Sequence, residues 1–114
     1  MAIKAHVSFS VPDTGKLSTL LVNHFGRLGY QMVSENIAGG EWIFRRGSKW
    51  ATLWRFDIRA LDTTLRVWAT TETGGARRVS CDWEVYTFLW IARAADTLTL
   101  EAEGRELESV LRRQ

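Results

Sequence analysis

The sequence predicts an α+β domain: a single, mostly antiparallel sheet of about six strands, with two helices packed on one of its faces. Three observations carry that expectation. Apolar and polar residues alternate with period two in several short runs, the mark of half-buried strands. Two other segments repeat apolar residues every three or four positions, as amphipathic helices do. Six tryptophans, five phenylalanines and two tyrosines fall largely in the alternating runs, so one sheet face carries a bulky aromatic core.

Residues 3–11 set Ile3, Ala5, Val7, Phe9 and Val11 on one face and Lys4, His6, Ser8 and Ser10 on the other, a half-buried strand. The only proline, Pro12, ends it, and Asp13 or Thr14 is placed to cap the following helix. Leu17, Leu20, Leu21, His24 and Leu28 recur at helical spacing, predicting a helix over 16–28 that Gly29 stops. A second strand is expected at 30–35, a turn containing Gly39-Gly40 at 36–40, and a third strand at 41–45. Arg46-Gly47-Ser48-Lys49 reads as a hairpin turn into a long fourth strand at 50–58. Asp62-Thr63-Thr64 turns into a fifth strand at 65–71, and a turn with Gly74-Gly75 leads to a sixth at 78–86. A closing helix is expected at 96–112, with Leu100, Gly104, Leu107 and Leu111 along one stripe. Gly104 costs about 1 kcal/mol relative to alanine there unless it permits close contact between helix and sheet. The order β-α-β-β-β-β-β-α resembles helix-grip and cystatin-like folds, and a likeness of topology implies nothing about activity.

The chain, 114 residues with 46% hydrophobic and 25% charged residues, reads as one domain able to bury a core without disulfides or metals. Its single cysteine, Cys81, can form no internal disulfide and fits a reducing cytoplasm. No apolar run approaches the roughly 20 residues that cross a bilayer, and the first residues lack an apolar leader. A cytoplasmic protein without membrane contact is the expectation. The net charge of +2 is too small to imply a nucleic-acid partner. Its distribution is uneven, with eight basic against four acidic residues over 41–80 and three against five from 96 onward.

Catalytic and cofactor signatures are missing. Neither glycine-rich phosphate loop occurs, so the glycine pairs read as turns. His6, His24 and Cys81 lie on different elements, and no metal site or cofactor is expected. Cys81 alternates with Val79, Trp83 and Val85 and reads as a buried, inert thiol. His24 reads as a hydrogen-bonded residue at the edge of the core. His6 is less constrained, with no carboxylate assigned to it. Asp57, Asp82 and Glu84 read as partners of the arginines sharing their face rather than as acid–base pairs.

Alternation assigns Val7, Phe9, Trp42, Phe44, Trp54, Phe56, Ile58, Leu65, Val67, Val79, Cys81, Trp83 and Val85 to the core face. The opposite face mixes Arg45, Arg55, Arg59, Arg66, Trp68 and Tyr86 with Ile43, Leu53, Asp57, Asp82 and Glu84. Arginine and aromatics among aliphatics mark interfaces and ligand-facing surfaces. Arg45, Arg55, Arg59, Arg66, Trp68 and Tyr86 are therefore the candidate binding residues, in a non-enzymatic domain that acts by protein association or modest ligand binding. Mixed charge suits a homodimer through this face or an adjoining strand edge, with Trp68 as its anchor. The first alternative is a single-stranded nucleic-acid-binding module on the same face, its arginines on phosphates and its aromatics under bases. The second is a small enzyme with a cavity between sheet and helices, reached near His24.

Overall fold

The computed structural model describes residues 2–13, 15–47, 62–86 and 94–113. They form strands β1 (Ala2–Pro12), β2 (Gln31–Asn36), β3 (Glu41–Arg46), β4 (Thr63–Thr71) and β5 (Ala76–Tyr86), with helices α1 (Leu17–Arg27) and α2 (Ala94–Arg112). The strands make one sheet in the order β1-β5-β4-β3-β2, and every neighbouring pair is antiparallel. The α+β class holds, with five strands among the described residues rather than six. The strand expected at 50–58 lies outside them. β3 is flanked by β2 and β4, so it pairs with Thr63–Thr71 on the side away from β2.

Both helices cover one face, and the alternation of β1, β3, β4 and β5 sends the apolar residues toward them. Val7, Phe9, Trp42, Phe44, Leu65, Val67, Val79, Cys81, Trp83 and Val85 are all buried, as expected from their period. Trp54, Phe56 and Ile58 lie outside the described residues. From α1, Leu17, Leu21, His24 and Phe25 enter this core; from α2, Leu100, Glu103, Gly104, Leu107 and Leu111 do. Gly104 explains itself by contact: a Cβ there would lie 2.8 Å from Trp83 Cη2 and 3.0 Å from Val7 Cβ. The missing side chain lets the backbone of α2 rest against β1 and β5.

The ends of α1 show one expectation met and one corrected. Gly29, at φ 93°, supplies the left-handed residue, Gly29 N–H donates to Gly26 O, and Tyr30 N–H donates to Phe25 O. This is a Schellman closure, and its usual apolar contact is present as an edge-on pair of Phe25 and Tyr30 with centroids 5.5 Å apart. Tyr30 is thereby drawn into the core instead of starting the second strand. At the other end no side-chain bond caps α1 among the described residues, outside which Thr14 lies. Gly15, at φ 72°, turns the chain, and the Asp13 carboxylate accepts from Gly15 N–H at 3.0 Å rather than from the helix.

Among the described residues β2 is an edge strand; its six residues are all exposed, and its register skips Val33 between Met32 and Ser34. Such a bulge disrupts flat edge-to-edge pairing.

Candidate functional site

The helix-free face of the sheet presents its side chains in rows set by the register. One row crosses all five strands as His6, Asp82, Arg66, Ile43 and Ser34. To one side lie Lys4, Glu84, Thr64 and Arg45; to the other lie Ser8, Ser80, Trp68 and Glu41. A depression of about 600 Å³ sits over the central row, lined by Lys4, His6, Ile43, Thr64, Arg66, Asp82 and Glu84 among others.

Of the six residues singled out from the sequence, the sheet brings Arg45, Arg66 and Trp68 onto this face. Arg55 and Arg59 lie outside the described residues. The backbone of Tyr86 pairs with Ala2 at the end of β5. Trp68 is half-buried, and its ring lies 6.4 Å from that of His6. Asp57 too lies outside the described residues, and among these the acidic partners of Arg45 and Arg66 differ from those expected. Arg45 pairs with Asp62 at 2.7 Å, Arg66 with Glu41 at 3.2 Å and Arg78 with Glu72 at 3.8 Å. These carboxylates come from strand starts and a turn. Asp82 is engaged instead by His6, its register partner, through Nδ1. A carboxylate accepts, so Nδ1 is the donor of this bond. The carboxylate that His6 lacked in the sequence is supplied 76 residues away.

A second polar cluster, unanticipated, lies inside the grip of helices and sheet. Arg46, placed by sequence in a turn, is the last residue of β3, and its inward parity buries it. Its Nη1 donates to Glu103 Oε2 at 2.9 Å and to Leu28 O at 3.1 Å, and its guanidinium lies 4.1 Å above the Tyr30 ring. It thus neutralises a carboxylate and the negative end of α1 together. Tyr30 donates to Glu103 Oε1 at 2.8 Å and accepts from Trp83 Nε1 at 3.0 Å. Burial raises the Tyr30 hydroxyl far above its ordinary range, so it stays a neutral donor.

His24 Nε2 donates to the Glu103 carbonyl at 3.1 Å, and burial holds its imidazole below the ordinary value against that bond. It is 1% exposed, so the reading of a hydrogen-bonded histidine holds at a more deeply buried site. His24 Nδ1 and the Nε and Nη2 of Arg46 meet no partner among the described residues. Glu103 was legible in part: it lies three residues after Leu100 and four before Leu107, on the apolar stripe. Cys81 is fully buried, and desolvation pushes its thiol up to about 12, which leaves it protonated and inert.

Among the described residues, no three His, Cys, Asp or Glu side chains converge as a metal site, and no helix is long and apolar enough to cross a membrane. Comparison with known proteins finds no family model that matches the chain and no curated protein of significant similarity.

Proposed function

We propose that the chain is a protein-association domain acting through the helix-free face of its sheet, with a second copy of itself as partner. The observation that supports this most is the make-up of that face. Ile43 and Trp68 sit half-buried beside a broad depression, among charges of both signs. Exposed aromatics set among arginines are what association surfaces use as anchors. A cytoplasmic setting belongs to the same proposal, supported by the single, buried, unpaired Cys81.

The nucleic-acid alternative is less favoured, because Arg45, Arg66 and Arg78 each have a carboxylate within 4 Å that a phosphate must displace. Its mark is affinity for a single-stranded oligonucleotide that falls steeply with salt. A small-ligand or enzymatic reading rests on the His6–Asp82 pair, since His6 lines the depression with Lys4 and Arg66 beside it. A histidine oriented by a carboxylate can accept a proton from a bound group.

Sedimentation of the unmodified chain and of Trp68→Ala tests the association reading. The unmodified chain should sediment as a dimer at tens of micromolar. Trp68→Ala should weaken it by about 30-fold, the equivalent of ~2 kcal/mol, without lowering the melting temperature of the monomer. A monomer at high micromolar concentration refutes the reading.

A further inference from the structure

We infer that two copies meet about a two-fold axis lying between β4 and β5 and parallel to them, which sets Arg66 of each copy against Asp82 of the other. This rests on the association reading above and names the contact that would make it specific. Arg66 and Asp82 are register partners on adjacent strands near the middle of the face. Both are well exposed, 57% and 47%, so each can reach a group on an opposing sheet.

A two-fold axis in the interface exchanges β4 and β5. Whatever β4 carries at a given level then faces what β5 carries at that level in the other copy. Arg66 meets Asp82 twice, once on each side of the axis. Trp68 falls over Ser80, a large ring on a small residue, and Thr64 falls over Glu84. One strand further out, Ile43 falls over His6. The mismatch of this arrangement, Lys4 over Arg45, lies toward the rim, where solvent screens it. The rival axis, along the row at right angles to the strands, sets Arg66 on Arg66 and Asp82 on Asp82, like charge on like charge.

The atoms leave room for the new contacts. Among the described residues Arg66 uses Nη2 toward Glu41, which leaves Nε and Nη1. Asp82 uses Oδ1 toward His6 among the same residues, which leaves Oδ2. Neither existing pair has to break. The area reaches the lower end of the standard range. About this axis β4 and β3 overlie β5 and β1 of the other copy, and four strands at about 4.8 Å spacing with nine residues of β4 at about 3.4 Å make a face on the order of 600 Å². Standard interfaces bury about 600–1,000 Å² per partner. Stacked sheets cross at about −30°, and contacts nearest the centre of the face are the ones that stay opposed despite that rotation.

Charge reversal tests the axis. Arg66→Asp and Asp82→Arg each put like charges at both central contacts, and each alone should weaken self-association at least tenfold in sedimentation. Mixing the two variants in equal amounts should restore a dimer, because both contacts then join opposite charges. The double variant Arg66→Asp/Asp82→Arg should dimerise by itself for the same reason. Circular dichroism verifies that each variant is folded, and Arg66→Glu with Asp82→Lys replaces any that is not. If the unmodified dimer is weakened by Trp68→Ala while mixing restores nothing, the axis is refuted and the association reading stands. A monomeric unmodified chain refutes both.

Discussion

Replacing Glu103 by leucine strands the Arg46 guanidinium in the interior. The two side chains are 7% and 5% exposed and meet at 2.9 Å, so the pair is screened little by solvent. Removing one partner of a buried ion pair costs about 3–5 kcal/mol, because the survivor keeps its charge without compensation. Tyr30 also loses the acceptor for its hydroxyl, which adds roughly 1–3 kcal/mol. Arg46→Met should cost a similar 3–5 kcal/mol, since among the described residues the Glu103 carboxylate is left with the Tyr30 hydroxyl as its one side-chain donor. Total stabilities of domains are about 5–15 kcal/mol, so either change removes a large share. The double variant Arg46→Met/Glu103→Leu removes both charges and leaves an apolar contact. Its loss should be about 1–2 kcal/mol, chiefly the unsatisfied Tyr30 hydroxyl. Urea melts followed by tryptophan fluorescence at neutral pH measure all four corners of the cycle. With slopes of about 1–3 kcal/mol per molar, a single substitution moves the midpoint by roughly 2 M. The double variant should be more stable than either single one, a coupling of about 5 kcal/mol or more from the losses above. If Glu103→Leu fails to fold, adding Arg46→Met should restore folding. Additive losses, or single losses below about 1 kcal/mol, would refute the claim that this pair is buried and mutually dependent.

Three further outcomes follow from the same packing. Gly104→Ala gains about 1 kcal/mol of helix propensity but drives a methyl into Trp83 and the branched stem of Val7, at about 1–3 kcal/mol; thermal melting should show a net loss, and a gain would mean that α2 does not approach the sheet so closely. His24 is held below its ordinary value of 6.5 by burial, so the unfolded chain takes up a proton that the folded chain refuses. Its contribution to stability is present above about pH 6.5 and is lost as pH falls below that value; His24→Gln should flatten this part of the stability profile, and an unchanged slope would count against the buried neutral ring. Cys81, fully buried with its thiol raised to about 12, should resist a thiol reagent in native protein and react once in urea; rapid native labelling contradicts the register of β5.

Period-two alternation was enough to sort Val79, Cys81, Trp83 and Val85 from Ser80, Asp82 and Glu84, because parity along a strand is a local property. The Schellman stop at Gly29 was local too, and it carried Tyr30 with it. Gly104 was legible as a question: a glycine on an apolar helical stripe needs a close neighbour, and Trp83 and Val7 are that neighbour. Arg46 failed because a turn motif and a strand end share the same residues, and inward parity overrode the turn.

Sequence alone determined the α+β class, the two helices, the core face of β1, β3, β4 and β5, and the buried thiol. All of these follow from spacing within one element. What tertiary structure decided is which elements meet and at what offset. His6 acquires Asp82, Arg66 acquires Glu41, and Glu103 acquires Arg46 and Tyr30, across separations that no local period encodes. Strand register and helix docking are chosen by the summed packing of the core, so a pairing on the far face, or a charge pair inside it, becomes visible only once the core has set that offset.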